Sequence, residues 1–171
     1  MEIEVVSLKM VREDCIFAHD AISEPTDVVQ LWRALHPQEP DREELWLICL
    51  DACMRPTKVT MVSRGSLDRA IATPREVFKA AILANAKYII LVHNHPSGIP
   101  HPGEDDRWIS ELIWNAGEIL GIPLRDHVIV GDGCYYSATS ERKWETPGYP
   151  VSEAQESELC AEGEKCADDR G

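Results

Sequence analysis

The stretch YIILVHNHPSGIPHPGEDDRWISELIWNAGEILG, residues 88–121, carries the strongest information about the fold. It opens with an apolar run at 88–92, which is typical of a buried strand. A loop rich in proline and glycine follows at 93–103. Residues 104–121 have the spacing of an amphipathic helix, with acidic residues in the first turn and Gly121 as its stop. The stretch therefore predicts a strand, a loop and a helix in succession.

Segments on both sides of this stretch predict more strands. Apolar or alternating runs at 45–51, 58–65 and 127–131 have the length and composition of strands. A turn after the third run leads into a predicted last, short strand. Strands that alternate with helices along the chain predict an α/β fold, or α+β in layers, in which a mixed β-sheet is flanked by helices.

Two more helices are predicted from their start signals. Thr26 or Asp27 can serve as the N-cap of the first. For the second, Thr73 precedes Pro74 and stands three residues before Glu76. This is the pattern of a capping box with proline at the first helical position, where its missing N–H costs nothing.

The length of 171 residues suits one domain with short extensions. We predict that residues 1–23 form an N-terminal arm or short strands, at 2–10 and 14–18, and that residues 24–146 form the domain. Residues 147–171 are predicted to be a disordered acidic tail, because they contain few large apolar side chains to bury.

The net charge of -13 makes a nucleic acid an unexpected partner, because such a chain repels phosphate backbones. We find no signal peptide and no apolar run long enough to cross a membrane, so we expect a cytoplasmic protein. None of the six cysteines forms a CxxC pair, and reduced thiols are expected. A metal role for Cys160 and Cys166 in the tail stays open, although their spacing is not that of a zinc ribbon.

Two histidines and an aspartate form the candidate metal site. His93 and His95 are two residues apart, so an extended backbone points both side chains to one side. Asp106 comes 11 residues after His95, in the first turn of the next helix, from where its carboxylate can face the strand end. Two imidazoles and one carboxylate suit zinc and leave a fourth position open. The His-x-His spacing alone is weak evidence, because a histidine at a strand end is often only a polar boundary residue.

These residues also carry a family resemblance. HNHPSG at 93–98, followed by Pro102 and Asp106, closely resembles the signature of the RadC-like branch of the JAB/MPN (JAMM) metalloprotease superfamily. The segments TPREVFKAA and DHVIV on either side also resemble that branch, so the resemblance covers about residues 24–140. It implies a JAB/MPN domain with cytidine-deaminase-like architecture. It also implies one zinc ion per chain, held by the two histidines and the aspartate, and hydrolysis of a peptide or isopeptide bond in a peptide or protein substrate.

The resemblance further implies a catalytic glutamate just before an apolar strand that ends in aspartate. Glu43 and Glu44 both precede the run that ends at Asp51, and register favours Glu43. Successive side chains of a strand face opposite sides, so only one of the two can reach the metal. By analogy with the family, zinc would activate a water molecule, and Glu43 would take its proton and pass it to the leaving amine. Glu44 remains the alternative.

One position departs from the family pattern. The serine that the family has three residues before the metal aspartate, where it supports the oxyanion, is Gly103 here. Backbone N–H groups or Ser97 replace its hydroxyl, or the chain is a weak or inactive hydrolase that still binds metal. For Ser97 a turn-forming hydroxyl is the simpler interpretation. Asp126 and His127 match a late Asp-His pair of the family and are expected to be structural or to support the ligands from behind.

The remaining candidate side chains have simpler interpretations. His101 lies in the loop and could approach the zinc, but we interpret it as a solvated residue. His36 has no evident partner in the sequence. Trp108 and Trp114, on the helix after the loop, are predicted to pack in the core.

Three functions are compatible with the sequence. The first is a zinc hydrolase of JAMM type, and the second is a non-catalytic metal-binding or interaction module, which Gly103 makes plausible. The third is a DNA-repair role, which RadC-like proteins carry as a historical label. The letters HNH do not support a nuclease, because HNH nucleases distribute those residues over a ββα unit, and the charge argues against DNA.

Overall fold

A computed structural model describes residues 21–65 and 72–141, together with residues 3, 7 and 9–14. The described residues form four helices and five strands, in the order α1 Pro25–Leu35, β1 Glu44–Leu50, β2 Pro56–Arg64, α2 Pro74–Leu83, β3 Tyr88–Asn94, α3 Glu104–Leu120, β4 Leu124–Val130, β5 Tyr135–Ser137 and α4 Ala138–Glu141. The predicted strands at 2–10 and 14–18 lie largely outside the described residues, and the tail at 147–171 lies wholly outside them. Those interpretations stay predictions.

The five strands form one mixed sheet in the order β2-β1-β3-β4-β5. Strands β3 and β4 are parallel, and the other three neighbouring pairs are antiparallel. A parallel pair needs a crossover, and α3 supplies it between β3 and β4. The predicted mixed sheet with flanking helices is therefore confirmed.

The apolar side chains form two clusters, one on each face of the sheet. Alternate residues of β1 separate them: Leu47 and Cys49 belong to the cluster under α2 and α3, whereas Ile48 and Leu50 belong to the cluster under α1. This period of two is what a strand buried on both faces requires. Helix α1 seals its cluster with Trp32, which is fully buried. The central strands are thereby covered by apolar side chains on both faces.

The start of α1 differs from the prediction. Glu24, not Thr26 or Asp27, is the N-cap, and Pro25 takes the first helical position. The carboxylate of Asp27 instead reaches back and accepts hydrogen bonds from the backbone N–H groups of Ser23 and Glu24, at 2.8 and 3.0 Å. Proline is favoured in the first turn because it lacks a backbone N–H, and an N–H at that position would have no partner within the helix. Pro25 therefore sets the start of the helix.

Helix α2 begins at Pro74 after Thr73, as predicted. The predicted capping box is wrong, however, because the Thr73 hydroxyl contacts the Glu76 carboxylate rather than a backbone N–H of the first turn. The hydroxyl and the carboxylate are hydrogen-bonded to each other, so neither side chain caps the backbone N–H groups of the first turn.

The stretch 88–121 folds as predicted, with two differences. Strand β3 continues to Asn94, so His93 is inside the strand rather than in the loop after it. Trp108 is 61% exposed, which contradicts its predicted core position, whereas Trp114 packs against the cluster under α2 and α3. The two tryptophans are six residues apart, which is not a whole number of helical turns, so they cannot share a face. None of the helices in the described part of the chain is long and apolar enough to cross a bilayer.

Candidate metal centre

The candidate metal centre lies where β3 ends and α3 begins. His93 is the penultimate residue of β3 and is buried, and His95 follows directly after the strand. Asp106 lies in the first turn of α3, and the loop between the two elements returns its carboxylate to the strand end. The structure thus brings together the three residues that the sequence analysis selected, in one group capable of holding a metal ion.

The spacing of the three donor groups fits a tetrahedral zinc ion. The Nε2 atoms of His93 and His95 are 3.1 Å apart. The carboxylate of Asp106 approaches them at 3.2 Å, from Oδ1 to His93, and at 3.4 Å, from Oδ2 to His95. Ligands placed about 2.0–2.1 Å from a tetrahedral zinc ion lie about 3.3 Å from one another. The shortest distances among the three side chains are therefore close to those that such an ion requires, with the two histidines facing different oxygens of Asp106.

Hydrogen bonds at the far side of each ring orient the histidines. Nδ1 of His95 lies 2.8 Å from the carbonyl oxygen of Ile99 and must donate to it, which leaves Nε2 for the cluster. Nδ1 of His93 lies 2.8 Å from Nε2 of His127, a fully buried residue of β4. Burial lowers the pKa of His127 to about 3, so its ring is neutral. Such partners behind metal-ligating histidines are the usual means of fixing the ring orientation.

The charge of the cluster is carried by Asp106. Burial would raise the pKa of its carboxyl, but the close contacts with His93 and His95 outweigh this effect and hold the pKa well below its usual range. The backbone N–H of Gly103 adds a 2.8 Å hydrogen bond to Oδ2. Asp106 is therefore an anion at neutral pH, which is the state a metal ligand needs.

Glu43 lies on the same face of the sheet as this cluster. It immediately precedes β1, and it is two residues before Leu45, which pairs with His93. The side chain is partly buried, and burial raises its pKa. The nearby His93 and His95 lower the pKa and Asp106 raises it further, so the carboxyl interacts electrostatically with all three members of the cluster.

Glu44 points to the opposite face and is engaged there. Its buried carboxylate accepts hydrogen bonds from Nε1 of Trp46 at 3.0 Å and contacts Nε2 of His36 at 3.2 Å. Nε of Arg64 lies 3.1 Å from its other oxygen. His36, which we expected to have no partner, thus binds Glu44 and stacks on Trp32. This contact joins α1 to β1 and could be detected only once the two elements were docked.

Asn94 is a residue of the site that the sequence analysis overlooked. It lies between His93 and His95 in the sequence and is buried. Because successive side chains of a strand point to opposite faces, it faces away from His93. Its side-chain oxygen accepts the backbone N–H of Glu44 at 2.9 Å. Its amide group donates to the carbonyl oxygens of Arg42 at 3.1 Å and Pro40 at 3.5 Å. Asn94 therefore ties the segment that carries Glu43 to the strand that carries the histidines.

Ser110 is the second residue that was overlooked. Its hydroxyl lies 2.6 Å from Nδ1 of His127 and 2.6 Å from the backbone carbonyl oxygen of Asp106. The only available signal was its position one helical turn after Asp106. Asp126, by contrast, is structural: its carboxylate accepts the backbone N–H of Thr139 at 3.0 Å and the hydroxyl of Ser137 at 2.7 Å, and so joins β4 to the segment after it.

The candidate oxyanion residues lie at the edge of the site. Ser97 is exposed, and its hydroxyl accepts the N–H of Ile99 at 3.4 Å, which is a turn contact. At Gly103, an added Cβ would meet only Oδ2 of Asp106, at an ordinary 3.5 Å, so the backbone has room for the serine of the family pattern. His101 is partly buried but does not belong to the group of donors, and its Nδ1 has no hydrogen-bond partner among the described residues.

Comparison with known proteins agrees with this geometry. The family model of the RadC-like JAB domain matches residues 22–144. A UPF0758 protein of Trichlorobacter lovleyi is 47% identical over 103 residues, which cover 60% of this chain and 45% of that protein. A UPF0758 protein of Methanosarcina mazei is 41% identical over 122 residues, covering 70% and 52%, and one of Thermotoga maritima is 46% identical over 101 residues, covering 59% and 46%. The chain thus spans about half the length of these curated relatives, and the matched region shows that it belongs to the family of RadC-like JAB domain proteins.

Proposed function

We propose that this chain is a zinc-dependent hydrolase of JAMM type that cleaves a peptide or isopeptide bond. The observation that supports this most directly is the set of donor distances of 3.1, 3.2 and 3.4 Å among His93, His95 and Asp106. Membership of the RadC-like JAB family supports the same class of site. A zinc ion held by these residues would supply a Lewis acid and a water molecule of lowered pKa.

The proposed role of Glu43 is that of general base and acid. Its carboxyl faces the cluster, and burial raises its pKa, so it binds a proton more readily than an exposed glutamate does. We propose that Glu43 accepts the proton of the attacking water and returns it to the departing amine. Glu44 is not proposed for this role, because its carboxylate is held on the other face by Trp46 and Arg64.

A non-catalytic metal-binding module is the second candidate, and Gly103 favours it. The position carries no hydroxyl, and Ser97 is engaged in an exposed turn. Loss of one oxyanion donor costs about 10²–10³-fold in rate in other hydrolases. Under this alternative the chain binds zinc but cleaves no peptide.

For the partner we propose a peptide or a protein rather than a nucleic acid, because the net charge of -13 repels phosphate backbones. We also propose that the chain acts in the cytoplasm. The cysteines Cys49, Cys53 and Cys134 form no disulfide in the described part of the chain, which suits a reducing compartment.

Metal analysis tests the site itself. Purified protein should contain about one zinc per chain, as a single three-ligand site requires. His93→Ala and Asp106→Ala should each lose it, whereas Asp105→Asn, at the exposed neighbouring position, should keep it. Stoichiometric zinc in His93→Ala or Asp106→Ala would rule out the assigned ligand set.

Activity separates the two candidates. Glu43→Gln should retain zinc and lose cleavage of a peptide or isopeptide library, because amide replaces carboxylate without removing a ligand. If the zinc-loaded wild-type chain cleaves no member of such a library, the non-catalytic module is the better description. Retained cleavage by Glu43→Gln would remove Glu43 from the mechanism.

A further inference from the structure

We propose that Ser110 and His127 form a positioning relay that holds the His93 imidazole with its Nε2 lone pair directed at the metal position. This inference rests on the proposed zinc site and adds to it a pair of residues that bind neither metal nor substrate. The relay runs from the backbone of α3, through β4, to the ring of His93 at the end of β3.

The direction of the hydrogen bonds follows from the first contact. The Ser110 hydroxyl lies 2.6 Å from the carbonyl oxygen of Asp106. A carbonyl oxygen only accepts, so the single hydroxyl proton of Ser110 is used there. The same hydroxyl lies 2.6 Å from Nδ1 of His127, and it must therefore accept. Nδ1 of His127 consequently carries a hydrogen.

The second hydrogen bond of His127 orients the ring of His93. The side chain of His127 is among the most deeply buried of the described residues. Its Nδ1–H is used by Ser110, and its other nitrogen, Nε2, lies 2.8 Å from Nδ1 of His93. The hydrogen bond between these two nitrogens holds the His93 ring by Nδ1, so that Nε2 is the nitrogen that faces His95 and Asp106.

The relay closes on itself through Asp106. Its backbone carbonyl anchors one end, and its carboxylate lies 3.2 Å from Nε2 of His93 at the other. Asp106 thus anchors the relay that holds His93 and is itself a candidate ligand, which links the first turn of α3 to the end of β3. Without the relay, no hydrogen bond from His127 would keep the His93 ring turned with Nε2 toward the metal position.

Zinc affinity is the first test, measured by competition with a coloured chelator on the full chain. Ser110→Ala and His127→Gln should each bind zinc about 10–100-fold more weakly than wild type, the usual effect of removing a partner behind a metal ligand. Ser137→Ala is the matched control, since it removes a hydroxyl bonded to Asp126 rather than to a ring. Because His127 is buried and its variant could misfold, Ser110→Ala, at a partly buried position, carries the test on its own if necessary.

Nitrogen NMR of metal-free protein with ¹⁵N-labelled histidine provides a readout that does not need zinc. We expect His127 to show a protonated Nδ1 in the wild type, as its contact with Ser110 requires, and a mixture of the two tautomers in Ser110→Ala. The His95 signals should not change, because His95 is oriented by Ile99 instead.

The outcomes separate this inference from the proposed function. If wild type binds zinc and Ser110→Ala binds it equally well with an unchanged His127 tautomer, the relay is wrong while the zinc site stands. If wild type binds no zinc, the proposed function fails. The relay is then decided by the NMR alone: an unprotonated Nδ1 of His127 in the wild type overturns it, and a proton on that nitrogen supports it.

Discussion

The side-chain oxygen of Asn94 accepts a 2.9 Å hydrogen bond from the backbone N–H of Glu44. The two residues are 50 positions apart in sequence, and the bond is buried. It fixes the position of the segment before β1 relative to β3, and therefore the position of Glu43 relative to His93. The donor groups of the metal site and the proposed proton acceptor are thus held by one amide side chain.

Replacing Asn94 by alanine should loosen the position of Glu43 without removing a ligand. The variant leaves the Glu44 N–H and the carbonyls of Arg42 and Pro40 unpaired, which should lower the free energy of unfolding by about 1–3 kcal/mol. Hydrogen exchange at the Glu44 amide should accelerate, zinc content should be unchanged, and any hydrolysis should slow. Asn115→Ala, on the exposed side of α3, is the control. Unchanged exchange at Glu44 would contradict the assigned role.

Glu44→Gln should destabilise the protein yet leave the metal site intact. A glutamine has one oxygen and one NH₂ group, so an N–H would face either Arg64 or the pair of Trp46 and His36, which contact separate oxygens of Glu44. We expect a loss of about 1–3 kcal/mol, measured by urea unfolding, with one zinc per chain retained. Loss of zinc with normal stability would mean that Glu44, not Glu43, faces the metal.

Gly131→Ala should disturb the loop that holds His95. An added Cβ would clash with the carbonyl oxygen of Gly98 and lie 2.9 Å from Cδ of Pro100, so the loop that supplies the Ile99 carbonyl must move. We expect lower stability, by about 1–3 kcal/mol, and weaker zinc binding. Gly133→Ala, which has a positive φ but nothing within 4 Å of the added atom, should cost stability alone. Equal zinc affinity in the two variants would argue against this loop contact.

Gly103→Ser tests whether the missing hydroxyl limits activity. The added side chain has room beside Asp106, and the φ of -72° at this position suits any residue. If the chain is a weak hydrolase, the substitution should raise turnover by up to about 10²–10³-fold, the contribution of one oxyanion donor. Gly121→Ser, at the other end of α3, should not raise it. No gain in a variant that binds zinc normally would support the non-catalytic alternative.

The carboxylate of Asp27 should stabilise α1 in a pH-dependent way. Hydrogen bonds from the backbone of Ser23 and then Glu24 lower its pKa below the ordinary 3.8. Because the pKa is lower in the folded state, the stabilisation is complete above the unfolded value, near pH 4, and is lost as the pH falls through the folded pKa. At pH 6 the free energy of unfolding of Asp27→Ala should therefore be lower than that of wild type by up to about 1 kcal/mol, a figure that solvent screening of this exposed group reduces. Near pH 3.5 the difference should be smaller. An equal deficit at both pH values, by urea unfolding, would show that the charge is irrelevant.

Local patterns were sufficient for the fold class and, together with the family resemblance, for the three candidate ligands. The period of two in β1 and β3, the proline at the start of α2 and the left-handed Gly121 after α3 are each read within a few residues. The ligands share this advantage, since two histidines on one side of a strand and an aspartate in the next first turn are placed by the geometry of consecutive elements. The exposed Trp108 shows the limit of such local patterns. Periodicity indicates that α3 has an apolar and a polar face, but not that Trp114 packs against the core while Trp108 faces solvent.

The other features of the site depend on contacts between distant parts of the chain. Register favours Glu43 over Glu44 as the glutamate that faces the cluster, but only the docking of His36 and Arg64 on Glu44 separates the two. Asn94 holds a segment 50 residues away, and His93 meets His127 34 residues later. A hydrogen bond depends on distances of a few tenths of an ångström, and these exist only once the helices have packed on both faces of the sheet. The sequence by itself therefore specified which groups could bind a metal, whereas tertiary packing decided how their lone pairs and protons are oriented.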